Sequence, residues 1–370
     1  MRKKVLFLTA FLPHPGAAAE KNTMMMLEDL SREYDVDLVY FKYEKEKEYV
    51  APNNHIVVRK IYNNSFLKKL FNILCYPFVH PLFSVRFNWG VLYYLKTLVS
   101  ENLFDAIILD HSQMFLYGKY IRADIPKILL SHDVIAQRVG RISNVLIKWI
   151  CKKSERKALT VQNGFVFSFS QKDCDLIIST YNINARLCLD YIDPYIIEAM
   201  PEEPDNEFVF IGKWTREDNL DGVLWFYKTI VPHINKHVTI NIVGKNFPED
   251  KISCKNPMVS TNILGFVDNP YPLIAKSRAM IAPLFTGAGI KVKVIESLAC
   301  GTPVIGTDIA FEGLPEKYSN MMILANDVDS YLKAMEMDIP LEERRRVKKE
   351  FIKDYTSETI PQFLNKLLNK

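Results

Sequence analysis

The chain alternates short apolar runs with longer mixed stretches, and it does so twice. In the first half the runs KVLFLTAF, DVDLVYF, AIILDH, KILLSHD and GFVFSFS are separated by segments long enough for helices. Parallel strands need a crossover between them, so this alternation implies a parallel sheet covered by helices. A stretch of prolines and acids near 190 to 206 breaks the pattern and reads as a linker. The pattern then restarts with EFVFIG (207–212), VTINIVG (238–244), NILGFV (262–267), AMIAPL (279–284) and PVIGT (303–307). A chain of 370 residues exceeds one typical core. The expected fold class is therefore α/β, with two Rossmann-like doubly wound domains whose strand carboxyl ends, where ligands bind, face a central cleft. The expected division is 1–190, a linker at 191–206, and 207–350. The segment 351–370 carries Phe363, Leu364, Leu367 and Leu368 on one side and is expected to cross back onto the first domain.

Charge and cysteine usage narrow the function classes. The formal net charge of +4 is too small for the dense basic face that nucleic acid binding needs, so no nucleic acid partner is expected. Six cysteines, at 75, 151, 174, 188, 254 and 300, form no C-x-x-C pair and no zinc spacing, which suits a reducing cytoplasm. The start, MRKKVLFLTAFLPHPGAAAE, mimics a signal peptide but reads better as a first buried strand ending at Pro13 and Pro15. Leu70 to Val85 holds no charged residue, yet it contains Pro77 and Pro81 and is too short to span a bilayer. Its flanks mix lysine and arginine with Phe, Trp and Tyr. Residues 64–100 therefore read either as a segment lying on an anionic membrane or as an internal core helix pair.

The stretch GAGIKVKVIESLACGTPVIGT (287–307) carries the densest chemistry. Read as a helix over 290–300, it places Ile290, Val292, Val294, Ile295, Leu298 and Ala299 on one broad arc, with Gly301 as the stop. Lys293 and Glu296 are then neighbours on the remaining face, and Lys291 points elsewhere from the first turn. The preceding small-residue loop offers backbone amides and a helix N-terminus to an anion, and lysines at that end are unfavourable unless something negative is bound. A phosphate group suits the position. An ordinary i,i+3 ion pair on a solvated face is the competing reading.

Gly212–Lys213 after the first strand of the second half, ILGFVDN at 263–269 and the stretch just described together resemble the retaining GT-B-fold glycosyltransferases of family 4, group 1 type. The resemblance spans the second domain and, more loosely, the first. It implies that the second domain binds a nucleoside diphosphate sugar, with Gly212 and Lys213 at the diphosphate and Glu296 holding the ribose hydroxyls. Phe266 and Val267 would line the base pocket. Gly287, Ala288, Gly289 and Ile290 would form the loop that sugar and diphosphate approach. The first acid of the family's Glu-x7-Glu motif falls on Ala288, and the second basic residue of the diphosphate clamp falls on Asn219. Lys291 and Lys293 read as the compensation, with Lys293 the better placed.

In the first domain, Gly16 matches the family's loop after strand one, expected on the acceptor side. His132, followed by Asp133, matches the histidine that positions the donor sugar; His111, His14 and Asp110 match less well. The resemblance thus implies a transferase needing neither metal nor other cofactor; cysteine usage suits the cytoplasm, and the basic aromatic region 64–100 motivates a peripheral position at the inner membrane face. The transferase's partners would be a nucleotide-sugar donor and a glycan or lipid-linked acceptor in polysaccharide or cell-surface glycan biosynthesis. A nucleotide-sugar epimerase or hydrolase on the same fold, or a scaffold that has lost turnover, are the rival expectations.

Overall fold

The computed structural model describes the chain apart from residues 1, 17, 190, 253, 288, 357, 358 and 370 and the side chains of 18, 141 and 142. The chain divides into two compact units, Met1–Tyr191 with Glu358–Lys370, and Ile192–Ser357.

The first unit is built on β1 (Lys4–Thr9), β2 (Asp35–Tyr43), β3 (Ile56–Asn64), β4 (Ala106–Asp110), β5 (Lys127–Ser131), β6 (Gly164–Ser168) and β7 (Ala185–Leu187), in the order β3-β2-β1-β4-β5-β6-β7. Every neighbouring pair is parallel. Strands β1 and β4 are apolar without alternation because both faces are covered. Val5 and Phe7 enter one core and Leu6 and Leu8 the other. Two strands go beyond the sequence reading. β3 (IVVRKIYNN) is interrupted by Arg59 and Lys60 and buried only at its two ends, and β7 is three residues long, so neither carries the buried-strand signature.

The helix Ile360–Leu368 closes this unit. Ile360 and Leu364 are fully buried in the core that holds Val5 and Phe7, and Phe363 meets Phe165 and Phe167 edge-on. The return begins later than expected: Phe351 and Tyr355, placed by sequence in the returning segment, are stacked and buried in the second unit on the helix Leu341–Tyr355. The expected linker also packs, since Ile192 onward belongs to the second unit and Ile196, on the helix Pro194–Glu198, is fully buried.

Residues 64–100 hold two helices of different burial. The helix Trp89–Glu101 buries Val91, Leu92, Leu95 and Leu98 in the core, whereas the helix Phe66–Cys75 buries only Asn72. No helix among the described residues is long and apolar enough to cross a membrane.

The second unit contains β8 (Glu207–Ile211), β9 (Val238–Val243), β10 (Val259–Gly265), β11 (Ala279–Ala282), β12 (Val304–Gly306) and β13 (Met322–Leu324), in the order β10-β9-β8-β11-β12-β13. It repeats the topology of the first. In each sheet the order reverses beside its first strand, between β1 and β4 and between β8 and β11, which is where a doubly wound sheet opens a crevice at its carboxyl end. The residues leaving those strand ends are the ones expected to carry chemistry.

Candidate functional site

In the second unit three glycines let the strand ends approach backbone to backbone. The Gly212 amide donates to Val243 O at 3.1 Å and the Gly244 amide to Gly265 O at 2.7 Å. A Cβ on Gly244, whose φ is +133°, would stand 1.9 Å from Gly212 O, so only glycine fits. Lys213 leaves this floor into solvent, while Trp214 turns back into the core. The Lys213 carbonyl accepts from the Arg216 amide at 3.1 Å and from Asn219 Nδ2 at 3.2 Å, which fixes Asn219 on the first turn of the helix Glu217–Thr229.

Asn219 then meets the other half of the site. Lys293 Nζ donates to Asn219 Oδ1 at 2.9 Å. Burial pushes the Lys293 ammonium down to about 8, Asp218 opposes the shift, and Arg216 and Lys291 add to it. Asp218 forks onto Arg216 at 3.0 and 2.5 Å. Burial alone would raise its carboxyl, but Arg216 and Lys293 outweigh that and hold it below the usual range. The result is a cationic cluster of Arg216, Lys291 and Lys293 at the carboxyl end of β8, with Asp218 on Arg216 and Glu312 4.0 Å from Lys291. Lys291 caps the helix Val292–Ala299, two residues inside the expected start at 290, and its Nζ donates to Gly289 O at 2.6 Å. Gly287, at φ +126°, and buried Gly289 shape the loop before it, with Ile290 half-buried; Ala288 lies outside the described residues.

Lys293 and Glu296 share a helix but turn to different partners. Glu296 Oε1 accepts from the Tyr271 hydroxyl at 2.8 Å, and the same hydroxyl stands 3.3 Å from Asp193 Oδ2. Burial, reinforced by the negative charge of Glu296 and Asp193, raises the Tyr271 hydroxyl far above its ordinary value, so it stays a donor and orients the Glu296 carboxylate. Beyond β10, Phe266 is exposed with Lys245 Nζ 4.2 Å over its ring, and Val267 is half-buried. The structure therefore joins Gly212, Lys213, Asn219 and Lys293, sets Glu296 one turn on, and leaves Phe266 on the rim.

In the first unit the chemistry gathers at the ends of β1, β4 and β5. Thr9 Oγ1 and Thr23 Oγ1 reach Asp110 Oδ2 at 2.8 and 2.7 Å, and His132 Nε2 reaches Asp110 Oδ1 at 2.7 Å. Burial would raise the Asp110 carboxyl, but the two histidines and the Thr23 hydrogen bond win, so it stays well below the usual carboxylate range. His111 stacks on His132 with ring centroids 3.9 Å apart, at a φ of 70° that a non-glycine residue rarely adopts. Burial pushes its imidazole down to about 3, so it is neutral. Asp133, the residue after His132, pairs with Arg138 at 2.7 Å, while His132 pairs with Asp110. Ligand atoms of Asp110, His111 and His132 lie within 4.8 Å of one another, a spacing a metal ion could bridge, but hydrogen bonds to Asp110 already account for the carboxylate. Gly16 sits apart on an exposed turn, its amide donating to His14 Nδ1 at 2.8 Å.

Asp110→Ala is expected to lower first-unit stability by about 2 kcal/mol, because three donors lose a buried ionised acceptor. The sign with pH follows from the depressed carboxyl: its contribution is present above the unfolded value near ~4 and is lost as pH falls through the folded one. Denaturant midpoints at neutral and acid pH check this, and a gap that does not shrink in acid would count against an ionised Asp110.

Tyr271, Thr9, Thr23 and the Arg216–Asp218 fork were not found from sequence, and Asp110 stood only among the weaker matches. Each acts through a partner far along the chain or sits in a turn without periodicity, so only the Asn219 departure left a signal.

Comparison with known proteins places this geometry. Residues 205–337 match the family described as Glycosyl transferases group 1. An uncharacterized 44.6 kDa protein in the cps region of Klebsiella pneumoniae is 22% identical over 129 residues, 32% of this chain and 33% of that protein. The aligned stretch thus spans about a third of the relative's length. Among solved structures, WaaG, a glycosyltransferase involved in lipopolysaccharide biosynthesis, superposes with a TM-score of 0.63 at 12% identity, covering 99% of this chain and 98% of its own. Sucrose-phosphate synthase from Thermosynechococcus elongatus gives 0.67 at 12% identity over 100% and 98%. Anabaena Alr3699/HepE in complex with UDP-glucose gives 0.62 at 13% over 99% and 98%. At such identities the likeness establishes the fold. The match to the glycosyl transferases group 1 model thus falls within the second unit, and the two doubly wound units are those of the GT-B fold.

Proposed function

We propose that the protein is a retaining glycosyltransferase that moves a sugar from a nucleoside diphosphate to a glycan or lipid-linked acceptor in surface polysaccharide synthesis, without a metal. The observation that carries this reading is the hydrogen bond from Lys293 to Asn219 at the carboxyl end of β8. Where the family clamp would have its second basic residue on the helix after β8, this chain brings an ammonium to the same spot from the helix Val292–Ala299. The Anabaena protein was solved with UDP-glucose, and the occurrence of a relative in a cps region suits a polysaccharide product.

Lys213, Lys293 and the loop amides at Gly287 and Gly289 would stabilise charge developing on the departing diphosphate. The leaving oxygen would take the acceptor proton, so no separate base is needed. Glu296, pre-oriented by Tyr271, would accept the ribose hydroxyls. Phe266 would stack on the base. The first unit would take the acceptor and supply His132, held by Asp110, as a positioning residue. Peripheral contact with an anionic membrane through 64–100 belongs to the same reading.

Thermal shift and turnover against UDP-, GDP-, ADP- and dTDP-sugars test it. One nucleotide family should stabilise the protein, and Glu296→Ala should weaken that donor on the order of 100-fold by losing charge-assisted hydrogen bonds. Donor binding without transfer to any acceptor would favour a scaffold. Free sugar released as the sole product would favour a hydrolase.

A further inference from the structure

The helix Phe66–Cys75 is turned the wrong way for a water-facing surface. At 100° per residue, Phe66, Leu67, Leu70, Phe71 and Leu74 share one arc of about 140°, and all five are exposed, with Phe66 at 80% and Leu67 at 74%. The inward face is held by a polar residue: Asn72 is buried, its Nδ2 donates to Val85 O at 3.1 Å and its Oδ1 accepts from Asn88 at 3.1 Å. Hydrogen bonds, not apolar burial, attach this helix to the unit.

A second helix of the same unit shows the same inversion. In Val145–Leu159 the second half packs through Cys151, Ser154, Glu155, Ala158 and Leu159, but every residue from Val145 to Ile150 is exposed. Five of those six are apolar. Val145 is 85% and Leu146 64% exposed, and Trp149 stands bare beneath Lys153, whose Nζ lies 3.8 Å over its ring. The two helices are tied together: the His80 amide donates to Ser154 Oγ at 2.7 Å, and Lys157 Nζ lies 4.9 Å over the ring of Tyr76, which caps Phe66–Cys75.

Charge identifies what covers them. From Tyr49 to Ser100, and again from Val134 to Ser154, the chain contains no Asp or Glu, while Lys68, Lys69, Lys148, Lys152 and Lys153 interleave with the apolar residues. A protein partner would have to be both apolar and acidic over two separate projections. An anionic bilayer supplies both properties everywhere on its surface.

We infer that Val145–Ile150 is a membrane wedge, and that with the Phe66–Cys75 face it forms a two-point platform seating the first unit on anionic lipid. The inference rests on the reading above for the contact through 64–100 and for the platform's purpose, that of bringing the unit to a lipid-linked acceptor, and adds Val145–Ile150 as its second point.

The test is flotation of the full chain with vesicles of phosphatidylcholine alone, or with roughly a third phosphatidylglycerol. Wild type should float with the anionic vesicles, far less with neutral ones, and less again at about 1 M salt. Leu146→Glu with Trp149→Glu, and separately Phe66→Glu with Phe71→Glu, should each lower partitioning about tenfold or more. These residues are exposed, so melting temperatures should not move. Wild type left in solution with anionic vesicles overturns the platform, as does a 146/149 variant that floats like wild type. Self-association of wild type that the same variants abolish would assign the face to a second copy and overturn it too. Sugar-nucleotide stabilisation measured on the same variants reports the transfer reading separately, since it should survive the loss of flotation.

Discussion

Replacing Arg344 by alanine is expected to lower the stability of the second unit by about 4 kcal/mol or more. The guanidinium is completely buried, and although the charges of Glu203 and Asp338 reach it, it forms no ion pair among the described residues. Its nitrogens donate instead to four backbone carbonyls: Gly301 at 2.8 Å, Ala275 at 2.7 Å, Ser277 at 3.0 Å and Glu202 at 3.3 Å. Burial brings its pKa down to about 10, which still leaves it charged at neutral pH. Truncation would strand several carbonyls and open a cavity at once. Two of the tied segments flank the helix that carries Lys293 and Glu296: Gly301 follows its end, and Ala275 belongs to the helix Tyr271–Lys276 that supplies Tyr271. Lys348, from the same helix as Arg344, reaches Ala199 O at 2.9 Å and Ala299 O at 3.4 Å, so two cations face the negative end of Val292–Ala299. Arg344→Lys, which keeps charge but not the fork, should lose an intermediate amount. Calorimetry of the second unit's transition reads the effect, and a loss under about 1 kcal/mol would show that the four contacts contribute little net stability.

Arg344 also shows where sequence reading stops. The strand runs of both units were legible because strands buried on both faces are continuously apolar, and the returning helix was legible because Phe363 and Leu364 fall on one side of it. Its starting point was not, since Phe351 and Tyr355 are as apolar as the residues beyond and only packing assigns them to the second unit. Arg344 sits in LEERRRVKKE, among charged neighbours that are nearly all solvated, and nothing local separates it from Arg345 or Arg346. The candidate site divides in the same way. Gly212, Lys213, Lys293 and Glu296 lie in segments with a recognisable pattern, whereas Tyr271 sits between two prolines after a turn, and Asp110 needs Thr9, Thr23 and His132 from three other elements. Residues 64–100 posed a choice that composition could not make, because a buried helix and a lipid-facing helix have the same apolar content. The structure assigns Trp89–Glu101 to the first kind and leaves the apolar face of Phe66–Cys75 exposed.

Lys293→Met should separate stability from function by moving them in opposite directions. Burial lowers the ammonium from its ordinary value to about 8. A base with a depressed folded pKa opposes folding wherever it is charged in both states, so at neutral pH wild type carries a cost that the methionine variant lacks. Raising pH from about 8 toward the unfolded value near ~10.4 removes the cost, because the unfolded chain then holds the extra proton and wild-type stability climbs. The ligand-free variant is therefore expected to be more stable than wild type by about 1 kcal/mol at pH 7, partly offset by the lost hydrogen bond to Asn219, with the gap closing near pH 10. Transfer should move the other way. Removing a preorganised cation from the position of a departing diphosphate should lower kcat/KM by about 10²–10³. Wild-type donor affinity should also weaken as pH rises through about 8, where ligand-free Lys293 loses its proton, and the variant should show no such limb. A cation kept in place at a cost to the empty protein is understandable only if its charge is neutralised when a ligand arrives. A variant that keeps donor binding and turnover within about threefold of wild type would transfer that role to Lys213 or Lys291 and leave Lys293 as a partner of Asn219 alone.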